Sequence, residues 1–307
     1  MAAAINLMQG SDSSMAVYIK SNDTREVGQF IPLHYHFQML SDQARMTGFR
    51  AAINHMVKPG ATVLELGSGT GVLSFYAAQN ARKVFAVEFN QELVEESLRF
   101  LQMNPNGERV EVIHADAFEY LPPEPVDVVI CEMLHVGLLR EKQLEVIDAF
   151  KSRYQRRFEG HPLPEFIPLG VIQAVQPVQH DFQFEGYYAP VTLFQAPYDV
   201  YPKTTVLGEP VVYHQVLYEQ PYDLSCRWSG TAPITAYGTL NALRIVTKNV
   251  LAIEPEAQSF IEWHNQHLIL PLERETSVRP GHSIEISLDY LTGAPLSALR
   301  PVVTGPL

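Results

Sequence analysis

A chain of 307 residues is long enough to bury two cores rather than one. Hydrophobic residues make up 46% and charged residues 18%, with a mean hydropathy of -0.04, a balance that excludes a disordered, collagen-like or membrane-spanning chain. The 34 acidic residues outweigh the 22 basic ones for a formal net charge of -12, so nucleic-acid phosphates are repelled and a cationic substrate is attracted.

The segment 1–29, with Ser11, Asp12, Ser13 and Ser14 in a row, reads as a flexible N-terminal stretch without the basic region of a secretory signal. From Met39 to Val57 the apolar positions Met46, Phe49, Ile53 and Met56 predict one helix face, ended by Pro59 and Gly60. Thr62 to Leu66 is a short apolar run before glycine, the form of a buried parallel strand. A helix from Val72 to Asn80 and a strand from Val84 to Glu88 follow. Beyond them come a helix capped by Asn90, with Leu93, Leu98 and Leu101 near one face, and strands at Val110–Ile113 and Val126–Cys131. This alternation predicts an α/β class, with a doubly wound, Rossmann-like parallel sheet over 30–165.

Pro162, Pro164 and Pro168 mark a boundary, and the rest, 166–307, is predicted to be mostly antiparallel β. There Ile284, Ile286, Leu288 and Tyr290 alternate with polar residues, and Val211–Tyr218 and Leu243–Val246 are strand-rich. Cys131 and Cys226, with no C-x-x-C pair, argue against a disulfide framework or a cysteine-built metal centre and point to the cytoplasm.

Between the first strand and its helix, Gly67, Gly69 and Gly71 allow a tight turn and close approach of backbone to a ligand. The spacing lacks the x-x-G of a dinucleotide fingerprint and the G-K-[ST] of a phosphate loop. Glu88, at the end of the next strand, can accept both hydroxyl hydrogens of a ribose, and Asp116 stands at the mouth of the strand after it. A ligand with a ribose, an adenine and no phosphate fits this set: S-adenosyl-L-methionine.

Val63-Leu64-Glu65-Leu66-Gly67-Ser68-Gly69-Thr70-Gly71 resembles the first motif of class I methyltransferases, specifically of the protein arginine methyltransferase family. Met39-Leu40-Ser41-Asp42-Gln43-Ala44-Arg45, with His36 before it and Phe49-Arg50 after it, resembles that family's M-L-x-D-x-x-R helix. Cys131-Glu132-Met133-Leu134-His135-Val136-Gly137, with Glu141 nine positions after Glu132, resembles its double-glutamate hairpin. The resemblance implies a β-barrel-like second half, a cis Ile167-Pro168 bond, a possible homodimer and Arg45 on the cofactor carboxylate. Expected cofactor contacts are His36, Met39, Arg45, Glu65, Gly67, Ser68, Gly69, Gly71, Glu88, Phe89, Asp116, Ala117 and Glu132; expected catalytic residues are Glu132 and Glu141.

Two carboxylates suit a guanidinium, because they can draw its charge toward the nitrogens they hold and free a lone pair on the third. Nine residues of continuous helix would put them on opposite faces, so convergence needs a turn, which Gly137 permits. The family's threonine-histidine-tryptophan loop stands here as Ile261-Glu262-Trp263, without the histidine, and Gln183–Glu209 gives no clear match to its dimerisation arm.

Blander readings stand beside these. Arg45 can be a surface partner of Asp42, Glu141 an exposed helix-start residue, and Lys151, Arg153, Arg156 and Arg157 a solvated helix face. His34 and His36 can be ordinary contacts of an extended segment, while Trp228, Tyr187 and Tyr188 can be barrel core or rim. Glu262, His264 and His267 lack a context that would converge them on a metal, and none is expected. The leading expectation is an N-methyltransferase acting on arginine in a protein or peptide, or on a small guanidino or amine metabolite. A small-molecule N- or O-methyltransferase and a non-catalytic cofactor-binding regulatory protein remain open.

Overall fold

The computed structural model describes residues 31, 33–199, 201–254 and 256–305. The expected flexible stretch 1–29 lies outside them.

Helices α1 (Leu33–Ser41) and α2 (Gln43–Met56) precede strand β1 (Thr62–Leu66), α3 (Val72–Ala78), β2 (Lys83–Glu88), α4 (Gln91–Gln102), β3 (Val110–His114), β4 (Val128–Cys131), α5 (Gln143–Arg157) and β5 (Glu165–Ile167). The five strands form one parallel sheet in the order β3-β2-β1-β4-β5. Chain order reverses beside β1, which opens a crevice at the carboxyl ends of β1 and its neighbours. All five residues of β1 are buried, as a strand covered on both faces requires.

The single helix expected over Met39–Val57 is two. Asp42 leaves helical geometry (φ -72°, ψ 93°) and its carboxylate accepts the Arg45 N–H at 3.0 Å, so it caps α2 and ends α1. His34 and His36 therefore lie on a helix, not on an extended segment. At α4, Asn90 Oδ1 caps as expected, accepting the Glu92 N–H at 3.0 Å. Lys151 does not face solvent: it is buried, and its ammonium donates to the carbonyls of Tyr218 and Gln220 at 2.7 and 2.8 Å.

The second half begins after a cis Ile167-Pro168 bond. Its strands are β6 (Gly170–His180), β7 (Gln183–Phe184), β8 (Tyr187–Tyr188), β9 (Leu193–Gln195), β10 (Thr204–Val206), β11 (Val211–Leu217), β12 (Ser225–Pro233), β13 (Gly238–Glu254), β14 (Ser259–His264), β15 (His267–Val278), β16 (Ser283–Leu291) and β17 (Val302–Thr304). All their pairings are antiparallel. A large sheet runs β10-β6-β13-β15-β9, with β11 on β6 and β14 on β13, and a smaller one runs β12-β16-β17. The inward residues of β13 and β15 (Leu243, Ile245, Leu268) share a core with those of β16 (Ile284, Ile286, Leu288), giving a barrel-like arrangement. Tyr187 and Tyr188 are exposed on the β7–β8 hairpin rather than in the core, whereas Trp228 packs against the core of the β half.

The two halves are packed together. Val171, Tyr218, Leu251 and Trp263 of the β half join the cluster formed by the parallel sheet and α2.

Candidate functional site

The crevice at the carboxyl edge of the parallel sheet deepens into a cavity of about 300 Å³. Its floor is the turn after β1, where Gly67, Gly69 and Gly71 have φ of 76°, 53° and 78°. L-residues rarely adopt this conformation, and it turns backbone toward the space above. A methyl group on Gly69 would meet the His36 ring at 2.8 Å. Gly71 caps α3 and is the single expected site residue outside the cavity lining.

Glu88, at the tip of β2, is fixed by two backbone donors: Gly69 N–H to Oε2 and Asn90 N–H to Oε1, both 2.8 Å. Each oxygen keeps a lone pair for a further donor. Phe89 stands exposed at the rim, and Asp116, held by the Phe118 N–H at 2.8 Å, closes the far wall beside Ala117. From above, α1 contributes His36 and Met39. Burial lowers the His36 pKa, Glu88 opposing and Arg45 adding to the shift. Among the described residues, the buried His36 Nε2 and Ser68 Oγ have no hydrogen-bond partner. Glycine cradle, ribose-type acceptor and unpaired polar atoms together fit the phosphate-free nucleoside that the sequence suggests.

Glu65 lies beneath the turn, wholly desolvated, and accepts a hydrogen bond from the Ser74 hydroxyl; burial pushes its carboxyl up to about 8. It is neutral at pH 7 and serves as a hydrogen-bonding group rather than a charge.

Glu132 follows β4, Glu141 precedes α5, and both reach the same cavity wall. The turn between them carries three left-handed residues, Gly137 (φ 71°), Leu138 (φ 54°) and Arg140 (φ 63°). Glu141 is not an exposed helix-start residue: burial raises its pKa, while Arg45 and Arg140 pull it back down. The Arg45 side chain does not reach out to Asp42 either. Its Nη2 donates to Glu132 Oε2, and its guanidinium lies 5.1 Å from the centre of the Trp263 ring. Burial lowers the Arg45 pKa to about 10, opposed by Glu141 and Asp42, so it remains a cation at pH 7.

Gln143, in the first turn of α5, carries no sequence signal yet closes the base of this wall. Its side chain accepts the Met133 N–H at 2.8 Å and donates to the Cys131 carbonyl at 2.7 Å. Beyond Arg45 a second chamber of about 390 Å³ opens between α1 and the β half, walled by Asp42, His135, Phe194, Tyr198, Trp263 and His264. Glu262 is not part of that wall; it pairs with Lys248 and lies 3.7 Å from His264 Nε2.

Residues 63–153 match a family model described as a methyltransferase domain. An uncharacterized protein of Methanocaldococcus jannaschii is 25% identical over 269 residues, 87% of this chain and 95% of that one. Protein arginine N-methyltransferase PRMT10 of Oryza sativa subsp. japonica is 34% identical over 125 residues, 40% of this chain and 33% of that enzyme. Among solved structures, the Trypanosoma brucei PRMT1 enzyme-prozyme heterotetrameric complex with AdoHcy is similar at a TM-score of 0.69 and 16% identity, over 89% of this chain and 97% of that one. No helix among the described residues is long and apolar enough to cross a membrane.

Proposed function

We propose that this chain, an S-adenosylmethionine-dependent methyltransferase related to the protein arginine methyltransferases, transfers its methyl group to a guanidinium nitrogen held between Glu132 and Glu141. What carries the reading is the convergence of these two carboxylates, nine positions apart in sequence, on one wall of the cavity.

In this reading Glu88 accepts the ribose hydroxyls, Asp116, Ala117 and Phe89 bound the adenine, and the glycine turn with His36, Met39, Arg45 and Glu65 surrounds the methionyl end. The sulfonium of the bound cofactor supplies a methyl group that is electrophilic without further activation. The chain's part is then to aim a nitrogen at it and keep water out.

Glu132 and Glu141 do the aiming. Arg45 occupies one oxygen of Glu132 and sets the plane of that carboxylate, leaving Oε1 for a donor from the acceptor. Glu141 must be ionised to hold the same guanidinium from its other side, and the arriving cation lowers its raised pKa as Arg45 already does. With the charge drawn toward the two held nitrogens, the third gains the lone pair that attacks. The proton it sheds passes to a nearby carboxylate or to solvent through the second chamber.

The acceptor is arginine in a protein or peptide, or a small guanidino compound. One observation keeps the small compound in view: about half of the second chamber's wall comes from the β half, and the match to the methyltransferase-domain model ends at residue 153, before that half begins. Labelled-methyl transfer to single-arginine peptides, to free arginine and to cell extract separates these acceptors. Glu132→Gln and Glu141→Gln should each lower kcat by about tenfold or more with cofactor affinity nearly unchanged, since a neutral amide cannot polarise the cation equally. Full rate in both variants, or product methylated on oxygen, sinks the guanidinium mechanism.

A further inference from the structure

We propose that the β half is the template that sets the geometry of the Glu132–Glu141 pair, with Thr247 and Asn265 as its positioning residues. The inference rests on the guanidinium reading above and concerns how that site is built.

Within itself the segment joining the two glutamates makes only short turn bonds, such as Leu138 N–H to the His135 carbonyl at 3.0 Å and Glu141 N–H to the Leu139 carbonyl at 2.6 Å. Three of its residues are left-handed, and two of these, Leu138 and Arg140, carry a Cβ that disfavours the conformation. Such a turn persists where its surroundings over-determine it, and here the surroundings belong to the β half. The buried Gly137 N–H donates to Thr247 Oγ1 at 2.8 Å, and the Thr247 hydroxyl donates onward to Gln173 Oε1 at 2.7 Å. At the other end, Asn265 Nδ2 donates to the Leu134 carbonyl at 3.1 Å, and Asn265 Oδ1 is held by Asn249 Nδ2 at 2.8 Å. Two backbone bonds, Arg140 N–H to Ala294 O and Gly293 N–H to Leu138 O, both 2.7 Å, pin the left-handed part between them. Val136 and Leu139 insert into the β half's core, whereas Leu134 and Leu138 belong to the core of the parallel sheet. The turn thus straddles both.

Thr247, Gln173 and Asn249 are fully buried and line neither cavity, so any effect they have on the reaction passes through the turn, whereas Asn265 also lines the second chamber. Polar side chains are costly in a β core unless fully paired, and Thr247 is paired both as acceptor and as donor. Valine fills the same space but leaves the Gly137 N–H and Gln173 without partners. Serine keeps both bonds.

The test compares wild type, Thr247→Val, Thr247→Ser and Asn265→Ala, with Glu141→Gln as reference, in methyl transfer to single-arginine peptides and free arginine. Amide exchange at Gly137 is followed alongside. Thr247→Val and Asn265→Ala should lower kcat by about tenfold while KM for S-adenosylmethionine stays within about twofold, and Thr247→Ser should restore the rate. Exchange at Gly137 should quicken by about tenfold in Thr247→Val and not in Thr247→Ser. If Thr247→Val fails to fold, Asn265→Ala decides by whether exchange at the turn amides quickens together with the loss of kcat, since Asn265 also lines the second chamber and a direct contact with the acceptor would lower kcat alone. Unchanged kcat in the folded variants while Glu141→Gln is impaired overturns this inference and leaves the guanidinium reading standing; a loss that serine does not restore, or that falls equally on cofactor KM, also overturns it. If wild type methylates none of these acceptors, or Glu141→Gln keeps full rate, the reading beneath fails and this inference goes with it.

Discussion

Glu65 is ionised in the unfolded chain near neutral pH and protonated in the folded one, because burial lifts its carboxyl from the ordinary value of 4.5 to about 8. Below pH 4.5 both states are protonated and the group has no effect. Between about 4.5 and 8 the folded state binds the extra proton, so stability falls as pH rises, and above 8 the loss is complete. Denaturant midpoints across this range should therefore decline more steeply for wild type than for Glu65→Gln, whose amide cannot titrate. Parallel profiles would mean that Glu65 ionises freely in the folded protein. Residues set by backbone demand were legible in the sequence: the glycines must turn left-handed, and Glu88 must end a strand. Residues set by long-range partners were not. Arg45 could be paired on paper with Asp42, three positions away, whereas its true partner Glu132 is brought to it by folding. Lys151 likewise looked solvated because Tyr218 and Gln220, which receive it, lie in the other half.

At the scale of the elements, the end of β4 is closed by one side chain from α5. Gln143 is buried and bonds both Met133 N–H and Cys131 C=O, taking the place of the backbone partners that the end of β4 lacks. Gln143→Leu would leave both groups unpaired inside the protein, at a cost of roughly 2 to 4 kcal/mol. Urea unfolding should show that loss; a variant within about 0.5 kcal/mol of wild type would mean that the groups find other partners. The start of α5 was hard to read because Lys142, at its N-cap, makes no side-chain cap. The parallel strands were legible as apolar runs, being covered on both faces. In the β half, alternation revealed strands but not their pairing. β13 alone spans 17 residues and partners β6, β14 and β15, with register shifts at Leu240/Ala242 and Val250/Ala252 that no alternation records.

For the molecule as a whole, the shared cluster around Trp263 and the turn anchored in both cores leave no plane along which the halves can part without exposing apolar surface and unpairing buried polar groups. The two halves should therefore melt as one unit, although chain length alone suggested two. A ligand that binds only the folded cavity then stabilises everything together. S-adenosylhomocysteine at about 100 times its Kd contributes roughly 2.7 kcal/mol, which for a chain of this size raises Tm by roughly 4 °C. NAD should produce no shift, because the cavity turn lacks the dinucleotide spacing. Gly69→Ala should abolish the shift: its methyl group would strike the His36 ring on a backbone at φ 53° and spoil the cradle. Scanning calorimetry distinguishes the cases. A single endotherm that moves with S-adenosylhomocysteine, and stays put in Gly69→Ala, is the expected result. Two endotherms, of which the ligand moves only one, would show that the halves fold separately, and would weaken the case that one half holds the other's carboxylates in place.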